Sequence, residues 1–512
     1  MVTTRRTKAA SPGAEKSVSL RSSQQMSRLQ SSPTLQASNL NPFVLVRNGI
    51  RVMLIVAAVA TCWQALHRAE GYQAKQDPRK ASVVDCQPLE YSYEVPSEWD
   101  RPPHVRAGSS LQWVGKNRLL VPQDDNQFLA LVDLSASTVA PLAQSVKIEK
   151  VVSLTLPGNV AGQRAFDSKV RKNKKQKWDL EASVVIPAGA VSEDQPSFVL
   201  LFGSGSATNR DVIILLPQSS LATQTDIGPA VMQMVGKAHW SKGLFQADTP
   251  PPNSNSSAPW DLRHPFVFSA SELYSHLGQT KAFSGSELNI EGVVYLPATH
   301  PSNRASTAVL RLLQRGNGAV DTNDKGEQQL PVTATADISL PQLIAYFNTL
   351  LVSDSLPPLT PSSSPSAAKE AEAAAARQAA APQLSNILPA DLGSITHEGK
   401  QVPLSFTDAC STSTSSPSSS STVYYVAGAE DSPDTFNDGE VVGASVGVLS
   451  PSGSTFSVLY NQDGSEFVGK VEGVVHKPCS VGSAVCASEE FLMVIDMDDT
   501  ELPSQLCLVR LH

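Results

Sequence analysis

The stretch Leu288-Asn289-Ile290-Glu291-Gly292-Val293-Val294-Tyr295-Leu296 decides the fold, together with Val309-Leu310-Arg311-Leu312-Leu313-Gln314-Arg315-Gly316-Asn317-Gly318 after a polar break. It reads as an apolar strand entered by a carboxylate, a loop, and a second strand that ends in a glycine turn. Leu180-Glu181-Ala182-Ser183-Val184-Val185-Ile186 and Lys470-Val471-Glu472-Gly473-Val474-Val475 repeat it, each followed by a second apolar strand, Phe198 to Phe202 and Phe491 to Ile495. The Glu and the first turn residue lie 22 positions apart (Glu181 to Gly203), 25 (Glu291 to Gly316) and 24 (Glu472 to Asp496). A fourth copy, Leu404-Ser405-Phe406-Thr407-Asp408-Ala409-Cys410 before Val423 to Ala429, is expected to set Asp408 at the Glu position. A third strand is predicted after most turns, at 211–215, 333–338, 443–449 and 505–510, and a further strand pair at 117–125 and 128–133.

Short strands and polar turns of this size cannot bury their faces singly and must stack. Radial stacking gives an all-β propeller. Setting aside the leader and insertions leaves six blades at about 40–50 residues each, with five as the alternative. The expected organisation is a disordered basic tail over 1–42, one short apolar helix within 43–67, a connector over 68–105, and a single propeller over 106–512. Low-complexity insertions interrupt it near 249–259, 353–395 and 411–421. The run Ala367 to Ala373 reads as a solvated helix or disorder, and 341–351 as a short helix on a blade edge.

The net charge of -8 hides an asymmetry: before Val52 the chain carries Arg and Lys against one acid, Glu15. That Ser-rich, aromatic-poor tail cannot offset its chain entropy by burial. The apolar run Val52 to Leu66 would make about 22 Å of helix against a hydrocarbon core of about 30 Å, so 43–46 must join it with Arg47 and Arg51 snorkelling. Three readings compete: a single-pass signal anchor that holds the propeller lumenal or extracellular, a cleaved secretory signal, and an organelle transit sequence. A buried core helix is the bland alternative. Of six cysteines, Cys479 and Cys486 bracket a short loop and either pair or stay free, and none has zinc-finger spacing. Asn255-Ser256-Ser257 is a glycosylation sequon.

Glu181, Glu291, Asp408 and Glu472 would form a ring around a propeller axis. There they either hold a metal or act as acid/base groups, or they tie neighbouring blades through backbone N–H groups. The turns carrying Glu430, Asp431, Asp496 and Asp498, with Asp124 and Asp125, suit calcium or magnesium rather than zinc, or are ordinary Asx turns. The basic run Arg171 to Lys177, with Arg210 and Arg315, is either a rim for an anion such as a phosphate ester or a solvated loop. Lacking interleaved aromatics, it makes no case for nucleic acid. Gly443-Ala444-Ser445-Val446-Gly447 matches a hydrolase elbow but lies in an apolar strand with no helix after it. Asp321 to Gly326 opens like an EF-hand loop but has Val332 at the twelfth position, so a hairpin is expected.

The ordered series Asp179-Leu180-Glu181-Ala182, Phe202-Gly203-Ser204-Gly205-Ser206, Leu288-Asn289-Ile290-Glu291-Gly292, Gln314-Arg315-Gly316-Asn317-Gly318, Pro403 to Asp408, Ala429-Glu430-Asp431 and Lys470-Val471-Glu472-Gly473 resembles an uncharacterised, mainly bacterial propeller family. That family is known only as a domain of unknown function and is similar to phytase-like, or esterase-like phytase, domains. The resemblance runs from about Leu111 to His512. It implies a propeller and, by analogy, calcium and a phosphoryl or ester substrate, hence a membrane-anchored or lumenal, metal-dependent hydrolase. The alternative is a non-enzymatic propeller scaffold that presents loops to a protein or glycan partner. A monomer is expected.

Overall fold

The computed structural model describes residues 74–93, 102–125, 128–156, 177–222, 230–231, 239–241, 244–246, 266–298, 308–317, 321–322, 328–354, 367–412, 422–431, 439–450, 453–477, 488–499 and 501–512. All of them belong to one compact unit, Arg68–His512. The basic tail, the apolar segment 43–67, residues 171–176, the sequon, Cys479 and Cys486 lie outside the described residues. The expected single-pass membrane placement is corrected: among the described residues no helix is long and apolar enough to cross a membrane.

The described chain is mostly β. Strand β1 spans Ala81–Pro88. A first antiparallel meander follows, β2 (Gln112–Gly115), β3 (Arg118–Pro122), β4 (Phe128–Leu134) and β5 (Ile148–Thr155), with Ala230–Val231 parallel to its outer edge. The second sheet is β6 (Leu180–Ile186), β7 (Phe198–Gly203), β8 (Val212–Pro217) and β9 (Phe266–Ser269). The third is β10 (Ile290–Leu296), β11 (Val309–Gln314), β12 (Ala334–Ser339) and β13 (Leu384–Pro389). The fourth run is β14 (Lys400–Ser411), β15 (Val423–Asp431), β16 (Glu440–Ser450) and β17 (Gly453–Tyr460). The last is β18 (Lys470–His476), β19 (Glu489–Asp496) and β20 (Gln505–Leu511).

Continuous apolar runs in these strands mean that both sheet faces are covered. In β7, Phe198, Leu200 and Phe202 enter one apolar cluster while Val199 and Leu201 enter another, the two-residue period of a strand. Full burial of each such side chain contributes about 1.5–3 kcal/mol. The clusters fill the gap between first and second sheets, second and third, third and fourth, fourth and fifth, and fifth and first. The innermost strands follow the same circuit, β2 against β6, β6 against β10, β10 against β14, β14 against β18, and β18 against β2.

The circuit closes through a strand that sequence reading takes for a polar connector. β1 pairs antiparallel with β20 from Ala81↔Leu511 to Pro88↔Gln505, and its first residues also pair in parallel with β17 at Ala81↔Leu459 and Ser82↔Tyr460. Its polar residues, Ser82 and Asp85, stay partly exposed while Ala81 and Val83 are buried, so its apolar content is low. Cys86 and Cys507 form a disulfide across a sequence separation of 421, a pair that spacing along the chain does not suggest. Cys410 is a free, buried thiol.

Helices line the second and third sheets. α1 (Ser271–Gln279) and α2 (Leu340–Asp354) bury Leu273, Tyr274, Tyr346 and Phe347 in the shared core, and Phe347 stacks on Phe268 at 4.3 Å. α2 is the helix expected at 341–351. α3 (Ala367–Ala380) is a helix rather than disorder, as its alanines favour, and Arg377 anchors it to Glu272 at 2.6 Å.

Fastening the first strand beside the last constrains the unfolded chain across almost the whole fold, an effect worth about 2–5 kcal/mol when a native disulfide is lost. The variant Cys86→Ser is expected to melt several degrees lower than the parent. Dithiothreitol should lower the parent's Tm and leave the variant's unchanged; equal melting of oxidised and reduced parent would refute the covalent closure.

Candidate functional site

Each innermost strand from β6 onward contains one extra residue. The register shifts fall between Leu180 and Ala182, Ile290 and Gly292, Phe406 and Asp408, and Val471 and Gly473. Such a bulge reverses the alternation of side chains. Its trace is visible in the core: Ile290 and Val293, Phe406 and Ala409, and Val471 and Val474 share a face although each pair is three residues apart. The bulged residues are therefore Glu181, Glu291, Thr407 and Glu472. Asp408 is not the fourth carboxylate of the series; it falls one place later, where the other strands carry Ala182, Gly292 and Gly473. In the first sheet the extra residue lies between Gly108 and Gln112, which pair with Gln123 and Leu120. No acid marks it, so the repeat is invisible there in the sequence.

At the place after the bulge, neighbouring innermost strands approach closely. A Cβ on Gly473 would come within 2.7 Å of the Ser110 carbonyl carbon, and one on Gly292 within 3.2 Å of the Ala409 nitrogen. Asp408 fills the space these glycines leave. Its Oδ2 accepts from the Val474 N–H at 3.0 Å and from Ser110 Oγ at 3.3 Å, and Ser110 continues to Ser183 at 2.7 Å. Burial pushes the Asp408 carboxyl well above its ordinary pKa, against the backbone N–H groups of Val474, Ala409 and Leu111. Asp408 thus links β14, β18 and the approach to β2.

The three glutamates sit in a denser field. Asn289 Nδ2 and Arg315 Nη1 donate to Glu291 Oε1 at 2.7 and 3.3 Å, while Oε2 is buried without a hydrogen-bond partner. Arg315 also reaches Glu430 at 2.5 Å. Glu472 has Lys470 at 3.7 Å from Oε1, and its buried Oε2 likewise lacks a partner. Thr407 is 1% exposed and its Oγ1 has none either. Burial raises the pKa of all three glutamates: Asp179, Asp124 and Glu291 add to the rise at Glu181, and Lys470 and Arg315 oppose it at Glu472.

Asp124, Asp179 and Glu181 gather with one oxygen each within 4.8 Å of the others. The Lys177 ammonium already lies 2.6 Å from Asp124 and 2.7 Å from Asp179, and Arg210 adds a contact of 2.6 Å to Asp179. Burial alone would raise Asp179; these cations outweigh it and hold the carboxyl low. A lysine therefore stands in this nest where a metal ion would. The same pairs account for the expected anion rim: Lys177, Arg210 and Arg315 are all buried against carboxylates rather than open to an anion.

The turn acids divide. Asp496 takes the Asp498 N–H at 3.3 Å as an Asx turn, and its carboxyl is pushed up to about 7 by burial. Asp498 pairs with Lys470 at 2.9 Å, whereas Asp431 is exposed and paired with Lys400 at 2.5 Å, away from Glu291. Ser445 is buried inside β16, so no exposed nucleophile elbow exists there. Asp321–Thr322 pairs antiparallel with Gln328–Gln329, the hairpin expected in place of an EF-hand.

Asp408→Ala would leave several buried N–H groups without an acceptor, each costing about 1–3 kcal/mol. Urea unfolding is expected to show a loss of about 3 kcal/mol or more, and a smaller one for Asp408→Asn, which keeps an acceptor. If alanine and asparagine unfold at the parent's midpoint, Asp408 is not a tie between strands.

A search of curated proteins finds no match. Among solved structures, Kuenenia stuttgartiensis hydrazine synthase is similar with a TM-score of 0.26 at 8% identity, over 78% of this chain and 80% of that one. A chain of the S. cerevisiae dbp5 assembly with nup159, gle1, ip6 and adp is similar with a TM-score of 0.24 at 8% identity, over 86% and 97%. Likenesses this weak carry no argument. Nothing in these comparisons supports the bacterial or phytase-like part of the resemblance. The model of a family of unknown function matches residues 104–242 and 365–511, more than half of the chain. The chain belongs to that family of unknown function, DUF6929.

Proposed function

We propose that the protein is a five-bladed propeller that binds a cationic ligand at the acidic end of its axis. Five antiparallel strand units, the last two joined through β1 into one ten-stranded sheet, five intervening apolar clusters and a circuit of innermost strands support the blade count. The count is five rather than six because the first strand completes the last blade instead of starting one of its own.

The observation that carries the ligand class is the charge balance around Glu291 and Glu472. Every buried cation there already holds a carboxylate, while carboxylate oxygens remain without a hydrogen-bond partner. A buried acceptor left unmatched is costly, and a cation restores the match. Hydrolysis of a phosphate ester needs cations open to the anion, and Arg210 and Arg315 are committed elsewhere. Capture of a cation, in a binding module that need not be an enzyme, is therefore the better-supported reading. An acidic axis also repels nucleic-acid phosphates.

A thermal-shift panel of calcium, magnesium, spermidine and inorganic phosphate tests this. A cation at a hundred times its Kd stabilises by about 2.7 kcal/mol, so at least one cation should raise the Tm by several degrees and phosphate should not. The opposite pattern, stabilisation by phosphate alone, would overturn the proposal.

A further inference from the structure

Glu291, Thr407 and Glu472 occupy the same bulge position on three successive innermost strands, β10, β14 and β18. Equivalent positions on adjacent strands present their side chains to one interior. Glu291 is 2%, Thr407 1% and Glu472 5% exposed, and each carries a buried oxygen with no hydrogen-bond partner. Thr407 supplies the observation independent of the acids, because a buried hydroxyl without any partner is a costly choice in a core where valine fits the same space. We infer that these three oxygens form a site for one hard divalent cation of the calcium or magnesium class.

The donor set is all oxygen, two carboxylates and a hydroxyl, which favours such ions over zinc. The surroundings are acidic: Glu291 and Glu430 share Arg315, and Glu472 and Asp498 share Lys470. The pairing also divides each glutamate in two: Oε1 faces the arginine or lysine, and Oε2 is left for the ligand. The neighbouring acidic nest at Asp124 and Asp179 is excluded, because the Lys177 ammonium lies in it. Compared with the carboxylate ring read from sequence, the site keeps Glu291 and Glu472 and takes Thr407 in place of Asp408.

This inference rests on the cation-binding reading and narrows it, so the test separates the two. Calcium and magnesium are titrated calorimetrically into chelator-treated full-length chain, beside spermidine, for the parent, Glu472→Gln and Thr407→Val. The expected result is one equivalent of divalent ion bound to the parent and an affinity at least tenfold weaker in each variant. Thr407→Val removes only the hydroxyl at constant shape and charge, so it remains informative if a glutamate variant fails to fold. Spermidine binding without divalent-ion binding would sink the metal site and leave the broader reading standing. Divalent binding equally tight in parent and both variants would also sink it, and no binding of any cation would end both.

Discussion

One extra residue in an innermost strand sets the geometry on which the centre of this fold depends. A strand alternates its side chains between two faces, and an inner strand packed between sheets has apolar neighbours on both. A carboxylate there would be forced into one cluster or the other. The bulge breaks the alternation for a single residue, so Glu181, Glu291, Thr407 and Glu472 leave the apolar faces while Leu180, Ile290, Phe406 and Val471 keep theirs. In three of these strands the same step brings a small residue, Ala182, Gly292 or Gly473, to a narrow place. Gly473 shows how narrow it is, since a Cβ there would overlap the backbone at Ser110.

Such a circuit has one weak joint, the seam between its first and last sheets. Here β1 is shared, antiparallel to β20 and briefly parallel to β17, with a disulfide across the pair. A second fastening crosses the fifth-to-first gap. Lys477 is 2% exposed, yet it reaches Glu490 at 2.8 Å and the Thr138 carbonyl at 2.8 Å, while Arg510 holds Glu490 at 2.7 Å and the Ala143 carbonyl at 2.8 Å. Both devices act where the chain cannot supply continuous connection. Non-local closure of this kind adds entropy cost to folding, which explains why covalent and ionic fastening accumulate at this seam.

Much of the sheet structure was legible because it follows from local pattern. Apolar runs of strand length bounded by Gly, Ser and Asp turns mark the first three strands of the second to fifth units near their observed places, but not the outer strands Phe266–Ser269, Leu384–Pro389 and Gly453–Tyr460; the spacing of Glu181, Glu291 and Glu472 marks three equivalent positions, which the strand pairing identifies as bulges. What failed was register. Thr407-Asp408 offers one polar residue that resembles Glu and one that does not, and nothing local says that the hydroxyl takes the bulge; only the pairing of Phe406 with Ala427 and Asp408 with Val426 decides it. β1 escaped notice for a related reason. Its polar residues, Ser82, Asp85 and Gln87, are tolerated because the partner strand supplies the hydrogen bonds, a tertiary effect that overrides local propensity. The Cys86 to Cys507 pair depends on that same docking and so was equally hidden.

The buried charges of this molecule are handled in two different ways. Removing an ion from water costs several kcal/mol, recovered only when good geometry and further hydrogen bonds match it. At Lys477, Glu490 and Arg510 the chain achieves that match with protein groups on every side. It is therefore able to satisfy buried ions where stability is at stake. Along the innermost strands it does not: Glu291, Thr407 and Glu472 each leave a buried atom unmatched, as does the Arg315 Nε nearby. Three of these atoms, on Glu291, Thr407 and Glu472, lie at the bulge positions of successive innermost strands. On the cation-binding proposal, the polar atoms retained at these positions are the ones that a ligand from outside the chain would complete.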